Sequence, residues 1–111
     1  MEILKRKEKN ALVILLKGRL DAVTSPVLEK ELTDLMAGGE RFLVMDLGDL
    51  GYISSAGLRS ILVAVKRLKE KQGKLLLASL KGVVREAFEI SGVSGAIPIF
   101  ESVDSALSSA G

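Results

Sequence analysis

Two adjacent hydroxyls, Ser54 and Ser55, lie in the run Asp46-Leu47-Gly48-Asp49-Leu50-Gly51-Tyr52-Ile53-Ser54-Ser55-Ala56-Gly57-Leu58. The run reads as a strand end, a Gly-rich loop and the opening of a helix, with Ser55 at the helix N-terminus. A serine there has two uses. As an N-cap, its oxygen accepts from a free backbone N–H of the first turn. As a phosphorylation site, it would hold an anion of about −1.5 to −2 charges where unpaired N–H groups and the positive dipole end favour one. Residue types alone leave both uses open, and either serine fits the first. Ala56 and Gly57 carry little or no side chain, which would leave Ser55 open to the active site of a partner. A glycine costs a helix roughly 1 kcal/mol, so its presence here points to a reason.

Other chemistries fit less well. A nucleophile elbow needs G-x-S-x-G, and Gly57 matches the second glycine while Ile53 occupies the first position. The chain has no histidine, so only a lysine or a carboxylate is left to activate a serine. It has no cysteine either, which removes disulfides, thiolate nucleophiles, iron–sulfur clusters and thiolate zinc sites. Gly38-Gly39 and Gly48-x-x-Gly51 match neither G-x-x-x-x-G-K-[ST] nor G-x-G-x-x-G, so no cofactor is expected. Asp46 and Asp49 are too few oxygen donors to hold a divalent ion unaided, and no metal is expected. Asp21, after Gly18-Arg19-Leu20, is a turn or capping residue or a contact for a partner. The basic segment Lys66 to Lys74 is broken by Glu70 and reads as a solvated helix end, where positive charge suits the dipole.

Sixteen Lys and Arg against 14 Asp and Glu give a net charge of +2, too slight a field to steer a polyanion. Aromatic residues make up 4% of the 111, leaving few rings to stack on bases, so nucleic acid is not expected as a direct partner. No stretch reaches the roughly 18 to 20 apolar residues of a membrane span, and Met1 to Lys7 is too charged for a signal-peptide core. The expected location is the cytoplasm, with no membrane contact. One domain is expected over residues 1–111, with a core at about 3–107 and a small polar tail, Ser108-Ser109-Ala110-Gly111, that frays.

The elements that must hold these residues alternate. Ala11 to Leu16, Phe42 to Leu47 and Lys74 to Leu80 are short, nearly continuous apolar runs, the pattern of strands buried on both faces. Ala96 to Phe100 carries Pro98, which suits a sheet edge. Residues 2 to 8 add another edge strand if a turn at Lys9-Asn10 folds them back. Between these runs, Pro26 behind a hydroxyl cap at Thr24-Ser25 opens a helix with Leu28, Leu32, Leu35 and Met36 inward, which Gly38-Gly39 stops. Ala56 to Gln72 places Leu58, Ile61, Leu62, Val65 and Leu68 on one stripe, with Gly73 as C-cap. A third helix spans roughly Val83 to Ser91, with Val84, Ala87 and Phe88 inward and Gly92 past its end, and Ser102 to Ser109 forms a short last one. Such alternation predicts an α/β domain with a largely parallel sheet.

Gly18-x-Leu20-Asp21, the strand Phe42 to Leu47, Ser54-Ser55-Ala56-Gly57-Leu58 and Ile90-Ser91-Gly92-Val93 together resemble the STAS domain of bacterial anti-sigma factor antagonists, over about residues 3–107. In that family the central run usually reads Asp-Ser-(Ser/Thr)-Gly-Leu, and the serine after the aspartate is phosphorylated. The resemblance therefore implies Ser55 as acceptor, with Ser54 a minor alternative. It implies an α/β STAS fold: a four- to five-stranded, mostly parallel sheet with about four helices packed on one side. It also implies a partner switch. An anti-sigma factor that is a serine kinase binds the unphosphorylated antagonist and releases a sigma factor. Phosphorylation ends that complex, and a PP2C-type serine phosphatase restores it. The domain is then a substrate and not an enzyme. Asp21, Ser54, Gly57, Leu58 and Arg59 carry over as partner-facing neighbours of the acceptor. The sequence departs from the family at Ser54, where the aspartate would stand, and at Ala56, where a second hydroxyl is usual. The first departure removes a like charge beside any phosphate. The fold also leaves room for an alternative, a non-phosphorylated accessory subunit of an ABC-type lipid transport complex.

Overall fold

The apolar runs become the inner strands of one five-stranded sheet, ordered β1-β2-β3-β4-β5. The computed structural model describes residues 1–8 and 10–110. Its strands are β1 (Glu2–Lys7), β2 (Leu12–Leu20), β3 (Phe42–Ile53), β4 (Lys74–Ala78) and β5 (Ile99–Phe100). Its helices are α1 (Ser25–Ala37), α2 (Ser55–Glu70), α3 (Gly82–Ile90) and α4 (Val103–Ala110), with a 3-10 turn at Val93–Gly95. β1 pairs antiparallel with β2, and the Glu8 N–H donates to the Ala11 carbonyl at 2.8 Å to close the hairpin. Lys9 of the expected turn lies outside the described residues. The other pairings are parallel, as the alternation of elements requires.

Each parallel step advances one strand in the same direction, so right-handed crossovers set α1, α2 and α3 on one face. There Ile14, Leu16, Met45, Leu47 and Leu77 of the sheet pack with Leu28 and Leu32, Ile61 and Leu68, and Val84 and Phe88. The inner strands are apolar on their second face too, and α4 covers it: Ala106, with Val103 and Leu107, lies over Val13, Val44, Leu76 and Ala78. The helices are therefore not all on one side of the sheet. α4 follows the last strand, so no crossover holds it to the first face, and the apolar back of β3 and β4 draws it over. It runs through Ser108 and Ser109 to Ala110, where the sequence suggested a frayed tail; Gly111 lies outside the described residues.

Three local expectations change. The segment Gly48 to Ile53 is strand and not a Gly-rich loop. β2 extends to Leu20 and pairs with it, Lys17 opposite Asp49, Gly18 opposite Leu50 and Leu20 opposite Ile53, across two register shifts. Gly48 and Gly51 lie in the shifted stretches, where β3 carries one more residue than β2 at each shift, the work of a bulge. Asp46 supports the first by accepting from the Gly48 N–H at 3.0 Å.

The hydroxyl cap of α1 is also absent. Thr24 precedes the helix, but its Oγ1 donates to the Arg19 carbonyl at 2.8 Å and accepts from the Asp21 N–H at 2.9 Å. Pro26 has no N–H to cap, and Val27 donates to the Thr24 carbonyl instead. At the far end of α2, Gln72 takes the left-handed conformation with φ of 63°. The Gly73 N–H closes the turn on the Leu68 carbonyl at 2.7 Å. Gly73 is needed for space: a Cβ there would stand 2.1 Å from the Arg41 carbonyl oxygen.

Gly73→Ala should therefore destabilise the fold by about 2–3 kcal/mol, since backbone has to move to admit the methyl group. Gln72→Gly, which relieves the left-handed residue, should stabilise by about 0.5–1 kcal/mol. Urea denaturation midpoints measure both.

Candidate functional site

α1, α2 and α3 each follow a parallel strand, so their N-termini share the carboxyl end of the sheet, where open α/β folds place their ligands. At the middle of this rim β3 runs directly into α2. The Ser54 N–H donates to the Leu20 carbonyl at 2.9 Å. The Ser54 Oγ accepts from the Gly57 N–H at 3.2 Å and caps the helix. Ser54 is half-buried and engaged, whereas Ser55 is exposed and its hydroxyl has no hydrogen-bond partner among the described residues. The cap therefore falls to Ser54, and the Ser55 hydroxyl is left exposed beside it.

Gly57 is buried. A Cβ there would lie 2.8 Å from Leu20 Cγ and 2.9 Å from the Leu20 carbonyl oxygen and from Ile53 Cγ1. The glycine faces inward and lets the first turn of α2 press on the end of β2, so it is a packing position with no surface for a partner. Leu58 is half-buried against the same core. Arg59, one turn beyond Ser55, is exposed.

Asp21 builds the neighbouring turn. Its Oδ1 accepts from the Val23 and Thr24 N–H groups, each at 3.0 Å. Hydrogen bonding from Thr24 is the main reason its carboxyl is held below the ordinary value of 3.8, with Val23 and Arg19 adding to it against partial desolvation. Arg19 Nε stands 3.9 Å from Asp21 Oδ2, and the guanidinium lies 4.2 Å above the Tyr52 ring centroid. The turn so fixed projects Val23, 82% exposed, and Val27, 55% exposed.

Between this turn and α2 runs a cleft of about 390 Å³, with Ala22, Pro26 and Glu29 on one wall and Ser55, Arg59 and Ser60 on the other. Ser60 is buried, and its Oγ lies 3.0 Å from Glu29 Oε1 and 3.1 Å from the Ala56 carbonyl oxygen. Sequence reasoning missed Val23, Val27, Glu29 and Ser60. The two valines carry a signal: they are apolar, four residues apart and off the buried stripe of α1. Glu29 and Ser60 meet across 31 residues, and neither has a local signal. No group of three metal-ligating side chains occurs among the described residues. The Ser55 hydroxyl meets no side-chain base among the described residues.

The sequence pattern of the STAS domain matches residues 2–106. BtrV of Bordetella bronchiseptica, assigned as an anti-sigma factor antagonist, is 42% identical over 106 residues, 96% of this chain and 91% of the relative. A Thermotoga maritima protein assigned as an anti-sigma factor antagonist superposes with a TM-score of 0.93 at 16% identity, over 97% of this chain and 93% of the other. The Bacillus cell fate determinant SpoIIAA in its phosphorylated form superposes with a TM-score of 0.75 at 18% identity, over 96% and 97%. At these identities the two superpositions show a shared fold.

Ser54→Ala should cost about 1 kcal/mol through the lost cap, while Ser55→Ala should stay within about 0.5 kcal/mol of the parent; chemical denaturation reads both. Because folding lowers the Asp21 pKa, its contribution to stability is complete above the ordinary carboxylate range and disappears as pH falls through the lowered value. Asp21→Asn should flatten the stability profile below about pH 4 relative to the parent, measured as the melting temperature across that range.

Proposed function

The chain belongs to the STAS domain family, and on that footing we propose that it is an anti-sigma factor antagonist working by phosphorylation-controlled partner exchange. Unmodified, it binds an anti-sigma factor that is also a serine kinase, and the sigma factor held by that protein is released in the cytoplasm. Output reaches transcription through the sigma factor, without DNA contact by this chain. The kinase then transfers the γ-phosphoryl of a nucleoside triphosphate to the Ser55 Oγ. The hydroxyl proton leaves and the diphosphate departs. A PP2C-type phosphatase hydrolyses the ester, returning the hydroxyl and inorganic phosphate. The chain is a substrate throughout.

The observation that carries this reading is the division of labour between the serines: Ser54 caps α2 while the Ser55 hydroxyl is exposed at the same helix start. A second observation supports a protein partner. Four of the eight large apolar side chains exposed among the described residues, Val23, Val27, Tyr52 and Val83, lie where strands end or helices begin at this rim, and exposed apolar surface suits a docking face.

The switch is local. Phosphate at the helix start gains about 0.3–1 kcal/mol from the dipole and asks for no refolding. Covering the same phosphate with a partner strips water from a dianion without supplying new charge to replace it, at a cost of several kcal/mol. The second effect is larger, so binding fails while the fold persists. Ser54 in place of the family aspartate lowers the local negative charge and eases modification of its neighbour.

Ser55→Ala should bind the cognate kinase and never cycle off it, and Ser55→Asp should bind about tenfold more weakly or worse, by calorimetry. Pull-down from the native cells with intact-mass measurement tests the reading as a whole. The expected result is a small serine kinase on the unmodified chain and one phosphate mapped to Ser55. A transporter ATPase recovered with an unmodified chain would establish the accessory-subunit alternative instead.

A further inference from the structure

The cleft beside Ser55 has two charged walls. Arg59 follows Ser55 by four residues on α2, so the two share one face one turn apart. Both are exposed and both line the cleft. Arg59 forms no ion pair or hydrogen bond among the described residues, unlike Lys30 on α1, which pairs with Asp34 at 3.0 Å. Glu29, exposed, stands on the facing wall, and its Oε1 lies 3.0 Å from the buried Ser60 hydroxyl, which also faces the Ala56 carbonyl at 3.1 Å. No other charged side chain lines the cleft. On the adjoining turn, Arg19 and Asp21 face each other at 3.9 Å. α2 carries no acidic residue in its first turn.

We propose that Arg59 clamps a phosphate on Ser55 while Glu29 repels it from the cleft floor, so that modification also withdraws Arg59 from the surface offered to a partner. This rests on the reading of Ser55 as acceptor. A guanidinium binds phosphate through two parallel N–H···O bonds and prefers the dianion. The carboxylate opposite disfavours that dianion and keeps the phosphate on the α2 side, towards Arg59. The modified chain therefore loses a cation at its docking face as it gains an anion, and one event changes two features that a partner reads.

The test uses the full chain with phosphoserine installed at position 55 during translation, its phosphate titrated by phosphorus NMR at low ionic strength so that exposed charges are not screened. The second ionisation of the phosphate lies near about 6. Arg59→Gln should raise it by about 0.3 pH units, the size expected of an exposed pair one turn apart. Glu29→Gln, which keeps an oxygen to accept from Ser60, should lower it by a similar amount. Lys66→Gln, further along α2, should leave it in place. An unmoved titration in either of the first two variants, or a shift with Lys66→Gln as large as that with Arg59→Gln, overturns the proposal. If native cells never phosphorylate Ser55, the functional reading falls while this titration still decides the clamp.

Discussion

The close approach of α2 to the end of β2 is the constraint on which the site depends. It needs a residue without a side chain at Gly57, because anything larger meets Leu20 and Ile53 at under 3 Å. It is secured from the other side by the Ser54 N–H on the Leu20 carbonyl. With the helix start held there, the Ser54 oxygen falls on the Gly57 N–H and is consumed as a cap. The next hydroxyl in the chain, 100° further round the helix, faces outward. An exposed hydroxyl beside a rigid cap is thus the consequence of one packing contact.

The topology explains why so many different segments reach this rim. Parallel strands joined by crossover helices all end at the same edge, so the β2–α1 turn, the β3–α2 junction and the start of α3 become neighbours. The bulges of β3 belong to the same design. They let a 12-residue strand follow the nine residues of β2 and still deliver Ile53 beside Leu20. Asp21 acts at one remove. Its carboxylate holds the backbone of Val23 and Thr24, and that backbone presents the exposed valines. α4, by covering the second face, leaves the rim free of the burden of shielding the sheet.

Much of the fold was legible in residue order. The apolar runs named β2, β3 and β4, the stripes named α1, α2 and α3, and Pro98 marked an edge. The errors share a cause. Gly48, Gly51, Gly57 and Gly73 were read as loop, access or capping, because a glycine in sequence shows only its backbone freedom. Two of them serve a neighbour: Gly57 admits Leu20, and Gly73 admits the Arg41 carbonyl. Thr24 was read as a cap because its hydroxyl stands at the correct offset. Pro26 offers no N–H and that of Val27 goes to the Thr24 carbonyl, while the hydroxyl turns back to Arg19 and Asp21.

Periodicity and punctuation, which are local properties, were enough to determine an α/β chain with a parallel sheet and a serine pair at a helix start. The family resemblance was legible too, because each of the short motifs that carry it, such as Gly18-x-Leu20-Asp21 and Ser54 to Leu58, is a run of neighbouring residues. Which serine caps and which is free, which face α4 covers, and the meeting of Glu29 with Ser60 across 31 residues were decided only in three dimensions. Each of these turns on where a distant strand or helix stands, and a carboxylate or a methyl group a few ångströms away changes the role of a residue without leaving any mark beside it in the chain.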